Sequence, residues 1–600
     1  MARLPPSANT HVNDEGLIYG DDFNDSYFSR DDGLAESRTV FLSGCGLPDA
    51  WADRTCFVIG ELGFGTGLNI LATWDLWRRT RPEGGVLHIV TVEGFLLEAD
   101  TAKTAHTMWP QLRDLSDQLI AKWPTRAFGP QRIWFPGDGL CITFLIGSCE
   151  QALADMSFEA DCWFLDGFSP ARNPDMWSPG VMAQVARLSA PYARLATYSV
   201  AGHVRTGLAQ VGFEVKRAPG FGSKRERLEA YRTGASGIVP KRPTSAIVMG
   251  GGIAGASICA ALRRRGVHVD LFDADPCGTT KASGNPVALI MPRLDRGDTR
   301  ESRFFRAAYL AALSAYQDMG KDAFEPLGCH EVSGDPDGIA RLVNLAADPP
   351  LPASHIESLD GVSLLHLKGG IAYPDAVLKH LGQGATHHAR AIASLKYDGG
   401  WEALDHTGKI MATADMCVIA SGPAAGQFSG LGPSLRGRAG QLSWAPVMGA
   451  LPALPISGGA YGAPFHNRLV FGATFEHCDV SAPAPPVRQS THVQNRDMLA
   501  TIASALAAGI DLEKAGGRTS VRATTNDQLP IIGAIEGEGP HKYVLCALGS
   551  RGFTSAFLCA EMIAAQACGE PSPVDMAVRE ALAPDRFAKR AARRPAKRES

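Results

Sequence analysis

Between residues 56 and 216, short apolar runs alternate with segments whose apolar residues recur at helical spacing. Cys56–Ile59, Val86–Val92, Cys141–Ile146, Cys162–Leu165 and Ala193–Ser199 are rich in β-branched and aromatic side chains and read as buried strands. Thr66–Arg79 and Met176–Leu188 read as helices between them. Such alternation predicts a doubly wound α/β sheet with its ligand at the carboxyl ends of the strands. The pattern then restarts: Ser245–Gly250 reads as a strand, Ile253–Arg265 as a helix and His268–Asp273 as a second strand. Later strands, Ala414–Ala420 and one opening at Tyr543, precede an apolar helix over Phe553–Cys568. That helix is shorter than a bilayer span and carries Glu561, so no membrane role is expected.

The 600-residue chain is too long for one hydrophobic core. The stretch before Ser245 is rich in Gly, Ser and Pro and has no periodicity, which reads as a linker. The expected organisation is a first domain over 1–235, a linker over 236–244, a second domain over 245–585 and a basic tail over 586–600, expected to be disordered. The formal net charge of −4 offers no global attraction to nucleic acid, so any polyanion site must be local. Lys224-Arg225-Glu-Arg227 and the tail qualify. The 13 cysteines are scattered through apolar runs without a Cys-x-x-Cys pair, so neither a metal site nor a disulfide framework is signalled. Met1–Asn13 lacks the apolar stretch of a signal peptide, and a cytoplasmic, monomeric protein is expected.

Two glycine-rich loops follow strands and open onto helices. The first, Glu61-Leu-Gly63-Phe-Gly65-Thr-Gly67, is followed by Glu93 at the end of the second strand and by Asp166 at the end of a later one. A carboxylate at 93 can accept both ribose hydroxyls, which fits an S-adenosylmethionine site and an NAD site alike. Glu61 favours the former: a carboxylate suits a cationic amino group and repels a pyrophosphate. Asp166 then lies in a proline-stiffened loop where the methyl group should project, although an acid there also suits a plain strand-end turn.

The second loop, Gly250-Gly-Gly252-Ile-Ala-Gly255, has the strand, the helix and the acid Asp273 of a dinucleotide fingerprint. Gly422 would close the nucleotide side. The strand–turn–helix at Gly549-Ser-Arg551-Gly552 returns from the far end of the chain to present a helix N-terminus, as amine-oxidising flavoproteins do beside the flavin ring.

Asp22-Phe-Asn-Asp-Ser-Tyr-Phe-Ser29, Glu61–Asn69, Leu165–Trp177 and Gly220–Glu226 resemble the methyltransferase half of the MnmC family of bifunctional tRNA-modifying enzymes. Ala282-Ser283-Gly-Asn285-Pro-Val-Ala288, Gly472-Ala-Thr-Phe475, Gly517–Ala523 and Leu548–Gly552 resemble its oxidoreductase half, of the glycine oxidase and D-amino-acid oxidase group. The resemblance implies a Rossmann-like class I methyltransferase domain followed by a two-layer FAD-binding domain. It implies S-adenosylmethionine at Glu61, Gly63, Gly65, Gly67, Asn69, Glu93 and Ser148, with Asp166 facing the amine. FAD is implied at Gly250, Gly252, Gly255, Asp273, Ser283, Asn285, Gly422, Gly549 and Gly552. The implied substrate is the wobble uridine of a tRNA anticodon stem-loop: its carboxymethylaminomethyl group is oxidised to aminomethyl, which is then methylated. The substrate carboxylate calls for an arginine, Arg551 first and Arg522 second, though either could instead tie down a loop or meet a tRNA phosphate. The chain departs from the family pattern at Ser148, usually an acid, and at Ile371, usually Trp.

Two other readings compete. One is a small-molecule amine or glycine oxidase fused to a methyltransferase for free metabolites; the other is a tRNA-binding scaffold with vestigial loops. The acids Glu93, Asp166 and Asp273 speak against the scaffold, and the two basic clusters favour tRNA over free metabolites.

Overall fold

The computed structural model describes all residues except 1–3, 14–16, 235–241, 276–277, 296, 538 and 593–600. The chain divides into two compact units, Met1–Lys241 with Gly569–Met576, and Arg242–Cys568 with Ala577–Ser600.

The first unit is built on an eight-stranded sheet. Cys56–Leu62 lies at its centre, parallel to Val86–Glu93 on one side and Ala160–Leu165 on the other. Leu140–Ile146 continues the parallel part beyond Val86–Glu93, and Gly129–Phe135 closes that edge antiparallel. Ser189–Thr197 runs parallel to Ala160–Leu165, and the hairpin Phe213–Pro219/Glu226–Arg232 completes the other edge. The central strands are buried almost throughout, which their unbroken apolar runs require. Connections leave the first strand in both directions, so its carboxyl end is the switch point where this topology opens a crevice.

The expected helix over Met176–Leu188 begins later, at Pro179, with the Ser178 hydroxyl capping Val181 N–H at 3.2 Å. Pro174–Trp177 forms a separate short turn before it. Gly569–Met576, assigned from sequence to the second domain, packs within the first unit instead. There Glu570 meets His88 at 3.3 Å, both side chains being fully buried, and Arg132 donates to the Pro571 carbonyl at 2.5 Å.

The second unit has two layers of sheet. One is six-stranded, in the order Thr386–His388, His268–Phe272, Ser245–Met249, Met416–Ile419, Lys542–Cys546, Ile531–Ala534, parallel except for the last pair. Helices Ile253–Arg263 and Gly552–Cys568 pack together, and the Glu561 expected to exclude a membrane span is neutralised by Arg264 at 2.7 Å and Arg265 at 3.0 Å. The other layer is a nine-stranded sheet whose long pair, Arg436–Ala445 and Gly516–Thr524, stays in register from Arg436↔Thr524 to Trp444↔Gly516. Ile371 is buried in its core with Val287, Leu442 and Val470, so the family's Trp position is an apolar packing site here.

The expected linker lies outside the described residues except for Arg242–Thr244, where Thr244 N–H and hydroxyl both donate to Asp415 at 2.7 Å. The tail reading needs correction: Arg586–Ala592 is helical. Arg586 and Arg590 both pair with Asp527, and Phe587 packs against a core cluster, so these two charges are anchored rather than left to solvent. Residues 593–600 lie outside the described part. Among the described residues, no helix is long and apolar enough to cross a membrane.

Candidate active sites

In the first unit the sequence motifs converge on the carboxyl end of the central strand. The register Leu62↔Leu165 sets the glycine loop beside the loop that follows Asp166. A Cβ on Gly63 would lie 3.1 Å from Gly167 Cα, and Gly63 has φ +84°, so only glycine lets the two loops close up. Glu93 Oε2 accepts from Gly65 N–H at 2.9 Å and Oε1 from Phe95 N–H at 2.8 Å, which fixes the carboxylate at the loop's rim. Ser148, at the start of helix Cys149–Ala154, is exposed beside the end of the Glu93 strand.

Asp166 is held from two sides: Asn69 Nδ2 donates to Oδ2 and Gly167 N–H to Oδ1, each at 2.8 Å. Burial outweighs these bonds and pushes its carboxyl up to about 6. Glu61 is 1% exposed; the Thr91 and Asn69 side chains lie near its carboxylate and favour the charged form, but neither oxygen receives a well-formed hydrogen bond. Burial, with Asp166 and Glu93 nearby, pushes Glu61 up to about 8. A buried, unsatisfied carboxylate is costly alone and awaits a cation; the ammonium of the methionine moiety fits that need, and the acids and glycines present therefore fit S-adenosylmethionine.

Sequence reasoning missed the aromatic wall around this crevice. Phe168 stacks on Phe23 at 4.7 Å and meets Tyr27 edge-on at 5.0 Å, while Asp25 accepts from Ser169 N–H at 2.9 Å. This explains the Asp22–Ser29 motif as a cover for the Asp166 loop. The Tyr198 hydroxyl donates to the Gly167 carbonyl at 2.7 Å, and Lys224 Nζ sits 4.0 Å from the Tyr198 ring while pairing with Glu36 at 2.9 Å. The basic cluster is thus partly consumed internally, with Arg227 paired to Glu229 at 2.7 Å and Arg225 exposed.

In the second unit a cavity of about 870 Å³ runs between the two layers. Gly250, Gly252, Asp273, Ser283, Asn285, Gly422, Gly549 and Gly552 all line it. Gly255 does not; a Cβ there would stand 1.8 Å from the Gly250 carbonyl oxygen, so this glycine serves helix–strand packing rather than contact with a ligand. Asp273 Oδ2 accepts from Gly251 N–H at 2.5 Å, Ser283 Oγ from Ile253 N–H at 3.0 Å, and Asn285 Oδ1 from Arg518 at 2.8 Å. The Gly552–Cys568 helix presents its N-terminus to the cavity through Gly552–Thr554. A cradle open at the glycines, an acid at the second strand and a helix N-terminus fit an FAD.

Both candidate arginines line this cavity, and neither guanidinium donates a hydrogen bond to another described residue. They occupy different surroundings. Arg522 lies over the Phe475 ring, 5.0 Å from its centroid, near Tyr461; Arg551 lies among Arg293, Glu331, Asp295 and Arg341. Burial lowers the pKa of both below the usual arginine range.

Comparison with known proteins agrees with this division. Residues 110–233 match a family of S-adenosyl-L-methionine-dependent methyltransferases and residues 245–566 a family of FAD dependent oxidoreductases. The chain is 40% identical over 576 residues to the tRNA 5-methylaminomethyl-2-thiouridine biosynthesis bifunctional protein MnmC of Maricaulis maris, covering 95% of this chain and 94% of that protein. It is 39% identical to MnmC of Caulobacter vibrioides, covering 96% of each. Among solved structures, glycine oxidase from Geobacillus kaustophilus matches 56% of this chain and 97% of its own at 18% identity, with a TM-score of 0.45. The protein is therefore a two-headed enzyme, an S-adenosylmethionine-dependent methyltransferase joined to an FAD-dependent oxidoreductase. At this identity over 95–96% of its length, the chain belongs to the MnmC family.

Proposed function

We propose that the protein performs two successive steps on one nitrogen atom of the wobble uridine of tRNA. In the second unit the carboxymethylaminomethyl arm of 5-carboxymethylaminomethyl-(2-thio)uridine loses a hydride and a proton, and water hydrolyses the resulting imine to glyoxylate and a primary amine, which the first unit methylates. When bound, FAD supplies the hydride acceptor for the first step and S-adenosylmethionine the methyl group for the second. The observation that carries this reading is that one chain holds the Asn69–Asp166 pair in its first unit and the glycine-lined cavity in its second, and matches bifunctional relatives over nearly their full length.

In the first unit, Asp166 is the group assigned to the amine. Asn69 and Gly167 leave each carboxylate oxygen a free lone pair, so Asp166 can hold the aminomethyl nitrogen and accept the proton it sheds as its lone pair takes the methyl group. Glu61 would hold the donor's ammonium, and Glu93 its ribose. In the second unit, the half-buried side chain of Arg522 or Arg551 would receive the substrate carboxylate and hold the adjacent carbon in place for oxidation. A half-buried guanidinium that donates no hydrogen bond gains more from a carboxylate than from a neutral amine, which supports an amino-acid-like arm as the group oxidised. Single-stranded anticodon bases can be splayed into such a pocket without melting a duplex. The enzyme is read as a cytoplasmic monomer. Nucleoside analysis of tRNA incubated with the protein, with and without S-adenosylmethionine, tests this reading.

A further inference from the structure

Of the large hydrophobic side chains that stand exposed among the described residues, Phe475 alone lines the flavin cavity. It is 52% exposed although it directly follows three buried residues, Gly472–Thr474. Its backbone is firmly seated: the Thr474 hydroxyl accepts from Gln441 N–H at 3.0 Å, and Thr474 N–H donates to the Gln441 carbonyl at 3.4 Å. Strand Glu476–Cys478 then pairs with Gly437–Ala439. The turn thus holds an aromatic ring at the cavity wall, beside a candidate carboxylate-binding arginine. The Arg522 guanidinium lies 5.0 Å from the ring centroid on one face, which leaves the other face to the cavity side.

A substrate no larger than a free amino acid would need Arg522 but has no flat group to lay on such a ring. A nucleobase has one, and aromatic side chains are the usual platforms for unstacked bases. We propose that Phe475 is a base-stacking platform: the splayed pyrimidine lies on its exposed side while the carboxymethylaminomethyl arm reaches Arg522. Phe475 is then a specificity-determining residue that selects an RNA-borne arm over a free amino acid. This rests on the tRNA reading above and adds a residue and a mode of recognition to it.

The test uses the full-length flavin-loaded protein and tRNA bearing 5-carboxymethylaminomethyluridine, following flavin reduction in single turnovers. Phe475→Ala and Phe475→Leu should raise the tRNA concentration for half-maximal reduction about 5- to 150-fold, the equivalent of about 1–3 kcal/mol per stacked base. The rate at saturating tRNA should change little, and Phe475→Trp should restore the affinity. Glycolate, a carboxylate probe with no base to stack, should perturb the flavin spectrum with the same affinity in all variants. Unaltered tRNA dependence in Phe475→Leu, or equal weakening of glycolate and tRNA, would overturn the proposal, the latter by placing the loss at Arg522. A wild-type protein that leaves the tRNA unoxidised would overturn the tRNA reading itself and this inference with it.

Discussion

Asn69 donates from Nδ2 to Asp166 Oδ2 at 2.8 Å, joining residues 97 positions apart in the chain. Asn69 is itself oriented by the Ser37 hydroxyl, which donates to its Oδ1 at 2.7 Å. The glycine loop's helix therefore aims the carboxylate assigned to the amine, so donor site and acceptor site are built as one object. Asp166→Asn should lower methylation about 10²- to 10⁴-fold, the usual worth of a positioned acid–base group, and leave oxidation intact. Asn69→Ala should cost less and act on the same step. Quantifying aminomethyl and methylaminomethyl nucleosides separates the two activities; equal loss of both in a folded protein would contradict the assignment.

The elevated pKa of Asp166 sets a pH dependence. Its carboxylate form, which can accept a proton, predominates above about 6. The single-turnover methylation rate should therefore fall as pH drops through that value, whereas a rate flat down to pH 4.5 would place the proton acceptor elsewhere.

Glu61 gives a prediction about binding and stability. Its folded-state pKa of about 8 stands above the unfolded value near 4.5, so its contribution to stability is fully present below about 4.5 and is lost as pH rises toward 8. Ligand-free Glu61→Gln should consequently unfold at a higher temperature than wild type at pH 8, with the gap closing at acid pH. Titration of wild type with S-adenosylmethionine at pH 7 should release protons as the ammonium favours the carboxylate. In Glu61→Gln that release should shrink and the affinity should drop. An identical proton count in both proteins would remove Glu61 from the donor site.

Gly255→Ala places a methyl group 1.8 Å from the Gly250 carbonyl oxygen, where backbone must move. The purified variant should lose flavin absorbance and oxidation while keeping methylation, measured on tRNA that already carries the aminomethyl group. Full flavin occupancy would show that the loop tolerates the displacement.

Glu570 belongs to a segment late in the sequence but packs in the methyltransferase unit against His88. Leaving a buried polar group without its partner typically costs about 1–3 kcal/mol. Glu570→Ala should lower the unfolding temperature of the methyltransferase unit, as seen by calorimetry, and spare the flavin. An unchanged transition would show that this segment is dispensable to the first unit.

The legibility of these features in the sequence follows the range of the contacts behind them. Strands such as Val86–Glu93 and the glycine loops were readable because apolar runs and turn residues are local signals, and strand ends fix where Glu93, Asp166 and Asp273 must lie. The placement of Gly569–Met576 was not readable: Arg132 and Pro571 meet across 439 positions, and no periodicity encodes that partner. Arg586 and Arg590 looked like a solvated charge run because Asp527, which anchors them, lies far upstream. Gly255 fitted the cofactor fingerprint, but its place in the pattern could not distinguish contact with a ligand from packing against Gly250. Phe475 was visible only as part of a motif, since exposure of a single aromatic is decided by the turn that carries it.

The most direct test of the account is nucleoside analysis of tRNA bearing 5-carboxymethylaminomethyluridine after incubation with the purified protein. Without S-adenosylmethionine the 5-aminomethyl base should accumulate, and with it the 5-methylaminomethyl base. Unchanged tRNA, together with rapid oxidation of free glycine, would contradict the account.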